Sequence, residues 1–410
     1  MTFRSIGGDD RGTLFRLAFD NFDRGGDLLG SSNARLSAGY LSGKLLRDGM
    51  GFPLRGMKRL ASVAISAAAA VSAGMMSASA TTGSGSPDIQ RLSGEDRFLT
   101  ALAVSQRGWV SAGSTGDPGQ LQAGAVLLAR GDAFPDALAG VPLAGKLHAP
   151  ILLTDSATLR EDVRNEIQRV LPADKPVYIL GGAGAVSPQV QDQVAALGHT
   201  VVRLGGADRA HTALTIAQEI GPDPAGIFVA TGTDFPDALA AGPAAVHTDL
   251  TYGGQGVLLL SDGPILDPDV AAYIRQHPAT PNKPIYAVGG PATVALESVA
   301  PVYSGFTPLF GQDRYMTAEA VAGRFGMSSS LGVATGSNWP DALTGGAFMA
   351  SVGGPILLPD PGLMALPSWG YLTHNDSSKF WPIAHVYVFG GEKAIGRTTF
   401  DYIKRTTNAH

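Results

Sequence analysis

Two short phrases with chemical potential each occur three times in this chain. The first contains an Asp-Arg pair, at Asp96-Arg97, Asp208-Arg209 and Asp313-Arg314. A guanidinium presents a planar fork of donors suited to phosphate or carboxylate, which recognition of an anionic polymer would use. The same pair also fits a structural reading, as a helix cap with a surface charge or as an intramodular salt bridge. The second phrase is aromatic-Pro-Asp-Ala-Leu, at 134–138, 235–239 and 339–343, each time just beyond an apolar run that reads as a strand. Open α/β sheets place ligands at such strand ends, which makes Asp136, Asp237 and Asp341 candidate binding residues. Alternatively, the proline opens a helix and the aspartate complements its dipole in the first turn.

Other chemistries are poorly supplied. The sequence has no cysteine, which excludes disulfides, thiolate metal sites and thiol catalysis. Its eight histidines, at 148, 199, 211, 247, 277, 374, 385 and 410, include no i,i+4 pair, so no helical metal motif is expected. Residues 140–146, GVPLAGK, imitate the start of a phosphate-binding loop, but Leu147 stands where a magnesium-binding hydroxyl belongs. The Gly-Gly turns at 181–182, 289–290 and 390–391 lack the third glycine of a dinucleotide fingerprint, and no GxSxG elbow occurs. No catalytic residues, cofactor or metal are therefore expected.

Composition narrows the class. Of 410 residues, 54 are Gly and 27 Pro, yet 44% are hydrophobic and only 16% charged. That excludes a disordered polyelectrolyte, and few aromatics with abundant small aliphatics favour close-packed α/β layers. Residues 57–80, MKRLASVAISAAAAVSAGMMSASA, combine a basic start, an apolar run and an A-x-A end, the parts of a secretory signal. The expectation is a cleaved signal, with a retained transmembrane anchor as the alternative; translation would start at Met57 (or Met50), residues 1–56 being a long n-region or an over-extended reading frame, and no stable membrane anchor remains if the signal is cleaved. Residues 1–80 hold ten Lys or Arg and six Asp or Glu, so the remainder has 20 basic and 29 acidic residues and a net charge of −9. So acidic a product is a poor binder of nucleic acid or anionic membrane, and an anionic ligand would have to be held by individually placed arginines.

The rest of the chain is written three times. RLSGEDRFLTALAVS, RLGGADRAHTALTIA and PLFGQDRYMTAEAVA begin copies whose Asp-Arg pairs are offset by 112 and 105 residues, and PVYILGG, PIYAVGG and HVYVFGG recur late in each copy. Such a period means tandem small domains, since short solenoid repeats run to about 20–50 residues. In the first copy the pattern predicts strands at 125–131, 150–155 and 176–182, with 201–204 as a fourth. Helices are expected at 136–149, 158–171 and from Ser187 to Gly198, and each Asp-Arg pair is expected to open another. Continuous apolar strands alternating with helices imply a parallel sheet covered on both faces, a small Rossmann-like α/β module per copy.

These ordered phrases, R-L-x-G-x-D-R, [FW]-P-D-A-L, P-I-L-L and V-Y-x-x-G-G behind a signal, resemble the cell wall binding repeat 2 (CWB2) family of Gram-positive surface proteins and autolysins. The likeness covers about residues 89–404. The resemblance implies three Rossmann-like modules around a pseudo-threefold axis, holding an anionic secondary cell-wall polymer noncovalently at the cell surface; for such a ligand the candidates read above from their own chemistry, Arg97, Arg209, Arg314, Asp136, Asp237 and Asp341, are the expected polymer-binding residues. The expected divisions are the extension and signal at 1–80, a linker at 81–88, and copies at 89–200, 201–305 and 306–410. Two other readings stay open: an accessory or regulator of a peptidoglycan hydrolase such as an amidase, and a surface adhesin. The copies also differ. The second carries an insertion at 251–256, and the third has Pro367 and Gly370 where a helix is expected.

Overall fold

Four short strands and their covering helices make each unit of this fold, which we describe from a computed structural model over residues 87–247, 254–299, 305–325, 328–359, 371 and 383–407. The signal-like segment 57–80, residues 81–86, and the stretch with Pro367 and Gly370 lie outside these described residues.

The chain begins with β1 (Asp88–Leu92) and α1 (Arg97–Gly108). It continues through β2 (Val126–Arg130), α2 (Gly140–Lys146), β3 (Ile151–Thr154), α3 (Glu161–Val170), β4 (Val177–Leu180), α4 (Pro188–Ala195) and β5 (Val201–Leu204). The order repeats as α5 (Arg209–Ile220), β6 (Ile227–Thr231), α6 (Pro236–Val246), β7 (Val257–Ser261), α7 (Pro268–Gln276), β8 (Ile285–Val288), α8 (Gly290–Glu297) and β9 (Phe306–Leu309). The third round is α9 (Arg314–Ala322), β10 (Ser330–Ala334), α10 (Pro340–Val352), β11 (Ile356–Leu357), β12 (His385–Phe389) and α11 (Arg397–Thr406).

The strands form three parallel sheets in the orders β3-β2-β4-β5, β7-β6-β8-β9 and β1-β12-β10-β11. Strands β2, β3 and β4 are apolar runs buried almost throughout, as a parallel sheet covered on both faces requires. The strand carrying the R-L-x-G phrase of one copy forms the edge of the preceding copy's sheet. At the ends of the chain the same rule closes a circle, because β1 pairs with β12 from Asp88↔His385 to Leu92↔Phe389.

At the centre, α2, α6 and α10 pack against one another pairwise. Most of their residues are buried, so these helices show no polar face, as fits core helices. Their axes approach closely because small residues face neighbours: a Cβ at Gly145 would lie 2.6 Å from Val246. Three equivalent helices, each touching the other two, give the assembly its pseudo-threefold arrangement.

Local signals explain the element ends. Ser187 caps α4 by accepting from Val190 N at 3.3 Å, with Pro188 in the first turn and Gly198 at φ 91° beyond the end. The helix expected over 136–149 instead starts at Gly140, and residues 134–140 make turns with Ala137 N→Phe134 O and Gly140 N→Ala137 O bonds. This later start puts Pro142 in the first turn, where a missing N–H costs nothing. No helix among the described residues is long and apolar enough to cross a membrane.

Candidate functional site

The three repeated phrases meet at the carboxyl ends of the strands. Each Asp-Arg pair opens a helix, and the two residues do different work. Asp96 Oδ1 accepts from Leu99 N at 2.8 Å, Asp208 Oδ1 from His211 N at 3.0 Å, and Asp313 Oδ1 from Tyr315 N and Met316 N at 2.9 and 2.8 Å, so all three aspartates are N-caps. The amide of His211, together with its imidazole, holds the Asp208 carboxyl below the usual carboxylate range.

The arginines turn inward to the backbone. Arg97 Nη1 donates to Gly131 O at 2.6 Å and Arg314 Nη1 to Gly336 O at 2.8 Å; Arg209 Nη1 donates to Gly232 O. Each acceptor glycine follows the central strand of its own copy, β2, β6 or β10. All three guanidiniums are half-buried, and Arg314 also reaches Asp234 Oδ2 at 3.2 Å. Arg97 and Arg209 make no further side-chain hydrogen bond among the described residues, so each keeps unused donors at the strand ends.

The aromatic residues of the second phrase come together at the pseudo-threefold axis. The rings of Phe134 and Phe235 lie 5.5 Å apart edge to face, and Phe134 and Trp339 stand 6.4 Å apart. The Arg97 guanidinium lies over Trp339 and that of Arg314 over Phe235, each 5.7 Å from the ring centroid. Phe134 and Phe235 are half-buried and Trp339 is buried. The result is an aromatic cluster at the axis with repeat arginines laid on it.

The aspartates of the second phrase face the Gly-Gly turns. Gly181, Gly289 and Gly390 have φ of 101°, 86° and 101°, and a Cβ on them would collide with Asp136, Asp237 and Asp341 respectively. Only glycine fits there. These carboxylates also touch the next copy: Thr212 Oγ1 donates to Asp136 Oδ1 at 2.9 Å, while Thr100 donates to Asp341. Burial pushes the Asp237 carboxyl up to about 6, with repulsion from Asp234 adding to the effect and Arg314 opposing it. Burial also raises Asp341, against the Thr100 hydrogen bond and the Arg97 charge. Asp237 and Asp341 sit in the first turns of α6 and α10, whereas Asp136 lies in the turns ahead of α2.

All six candidate residues therefore gather at one end of the sheets, but they face different surroundings. The arginines retain donors, while the aspartates are half-buried among turns and threonine hydroxyls. Sequence reasoning did not foresee that Phe134, Phe235 and Trp339 would meet, although their recurrence in one phrase was the available signal. It also overlooked the leading arginine of R-L-x-G: Arg91 donates to Gly390 O at 2.8 Å, and Arg203 to Gly181 O and Gly182 O, both at 3.1 Å. Lys146 of the apparent phosphate loop instead donates to Ile220 O at the end of α5.

A sequence model of the family described as Cell wall binding domain 2 (CWB2) matches residues 91–191, 203–299 and 309–400. Among curated proteins, the N-acetylmuramoyl-L-alanine amidase LytC of Bacillus subtilis is 24% identical over 263 residues, 64% of this chain and 48% of that protein. The amidase enhancer of the same organism is 32% identical over 185 residues, 45% of this chain and 23% of its own. This chain thus spans about half or less of the curated relatives named here. Among solved structures, Cwp8 from Clostridium difficile has a TM-score of 0.67 at 25% identity, covering 79% of this chain and 52% of that one. Cwp6 from the same organism has a TM-score of 0.65 at 24% identity, covering 79% and 48%.

Proposed function

This chain belongs to the Cell wall binding domain 2 family, and from that premise we propose that it is a secreted protein that attaches noncovalently to an anionic polymer of a Gram-positive cell wall. The observation that carries the reading is the set of half-buried arginines at the strand ends, of which Arg97 and Arg314 lie on rings of the Phe134, Phe235 and Trp339 cluster. Each guanidinium is fixed by one backbone carbonyl. Its remaining donors are therefore oriented before a ligand arrives, which lowers the ordering cost of binding. With residues 81–410 at a net charge of −9, attraction to a polyanion depends on these local cations and not on the overall field. Three linked modules raise the effective concentration of each site for the next stretch of polymer.

The role proposed is binding without catalysis. Asp136, Asp237 and Asp341 serve it by holding the Gly-Gly turns and the neighbouring copy in place, and direct contact with polymer falls to Arg97, Arg209 and Arg314. The triple variant Arg97→Lys, Arg209→Lys, Arg314→Lys keeps the charge and removes the fork. Its retention by purified walls is expected to drop at least about tenfold, and retention of the native chain is expected to weaken as salt rises. Undiminished retention of the folded triple variant would remove these arginines from the site.

The similarity to an amidase and to an amidase enhancer supports a second reading, an accessory role beside a peptidoglycan hydrolase. Zymography on cell walls, with and without this protein added to an amidase, separates the two: a change in lysis supports the accessory role.

A further inference from the structure

The second copy carries a cluster that the first copy has in a different form. In the first copy, Arg160 is the N-cap residue of α3 and pairs with Asp162 two residues on, at 2.7 Å between Nη2 and Oδ2. The same guanidinium stands 4.0 Å from Asp96, the N-cap of α1, and 4.3 Å from the centroid of the Phe98 ring. A positive charge thus sits between two carboxylates at the junction of two helix starts.

In the second copy the carboxylates remain and the built-in cation is gone. Asp208 caps α5 as Asp96 caps α1, and Asp269 lies two residues past the α7 cap as Asp162 lies past that of α3. The cap of α7 is Asp267, in the place of Arg160. Ala210 stands where Phe98 supports the guanidinium, and His211 stands where the first copy has Leu99. The coupled differences replace an arginine on its aromatic platform with a third carboxylate and an imidazole.

Geometry makes this set suitable for a metal. Ligand atoms of Asp208, His211 and Asp267 all lie within 4.8 Å of one another. His211 Nδ1 is 2.8 Å from Asp208 Oδ1, and Nε2 is 3.3 Å from Asp269 Oδ2. Two donors that each bind a tetrahedral metal at about 2.0–2.2 Å stand roughly 3.4 Å apart, so the first distance would open by about half an ångström, within reach of a side-chain rotation. A metal-bound imidazole commonly donates its other N–H to a carboxylate, the position Asp269 holds. The donors come from two helices, which is why no spacing within one helix reveals them.

We propose that Asp208, His211 and Asp267, with Asp269 behind the imidazole, bind a divalent cation of the class that accepts mixed imidazole and carboxylate ligands, such as Zn²⁺. The cation takes the place that the Arg160 guanidinium fills in the first copy. This site does not depend on the polymer-binding reading.

The test is isothermal titration of the full chain with Zn²⁺ alone, beside two variants that restore first-copy residues, Asp267→Arg and His211→Leu. Circular dichroism checks that each is folded. The native chain is expected to bind one equivalent that both variants lose, each with affinity reduced at least about tenfold. Absence of that equivalent in the native chain, or equal binding by either folded variant, overturns the proposal.

Discussion

Thr212, in the first turn of α5, donates its hydroxyl to Asp136 at 2.9 Å across 76 positions of sequence. The same hydroxyl accepts from Gly206 N at 3.1 Å. One side chain therefore links the R-L-x-G-x-D-R phrase of the second copy to the F-P-D-A-L phrase of the first. Thr100 and Asp341 repeat the link between the first and third copies, beside the β1 and β12 pairing. Phrases that look like separate motifs in sequence are the two halves of these two junctions.

Thr212→Val should expose the value of that junction. It removes a hydrogen bond to a half-buried carboxylate while keeping the shape, and is expected to destabilise the protein by about 1–2 kcal/mol. Urea denaturation measures it, as a lower midpoint with an unchanged slope. Wall retention of the folded variant should be unaltered.

Closure by the first strand can be tested by removing it. A chain lacking residues 81–94 leaves β12 without its β1 partner and Gly390 without the Arg91 hydrogen bond. Hydrogen exchange should speed up at His385–Phe389 and remain slow in β6 (Ile227–Thr231), which lies in another sheet. Equal protection of β12 in both chains would show that ring closure adds no stability.

Asp237 gives a pH dependence of determined sign. Its folded pKa, near 6, lies above the ordinary carboxylate value of 3.8, so the folded chain binds the proton more tightly than the unfolded chain does. The stability this contributes is complete below about pH 4 and is lost as pH rises through 6. The loss is at most about 3 kcal/mol, and solvent at the half-buried carboxyl reduces it. Asp237→Asn should flatten stability against pH between 4 and 6 and make the protein more stable than native at pH 7.5. A parallel decline in both proteins would assign the slope to other groups.

Much of this fold could be read from local pattern. The apolar runs at 126–130, 151–154 and 177–180 are strands, Ser187 and Pro188 begin α4, and every Asp-Arg pair opens a helix. Such signals act over a few residues and survive in a single sequence. The start of α2 is not legible in the sequence, because the same aromatic-Pro-Asp-Ala-Leu letters continue as helix in two copies and as turns in the first. The site was only partly legible. Recurrence identified the arginines and aspartates, but not that Asp136 faces Gly181 and Thr212, or that Phe134, Phe235 and Trp339 share one axis. Those relationships come from parallel crossovers joining residues from 45 (Asp136 and Gly181) to 205 (Phe134 and Trp339) positions apart, which no local period encodes. The same holds for His211 and Asp269 on α5 and α7.

On this reading the ring of modules holds an anionic wall polymer through placed arginines. The most direct test is the fraction of purified protein retained by isolated Gram-positive walls before and after chemical removal of their anionic polymers, at fixed ionic strength. Strong retention by intact walls and loss of retention by stripped ones are expected. Equal retention by stripped walls would place the affinity in peptidoglycan itself and contradict this reading.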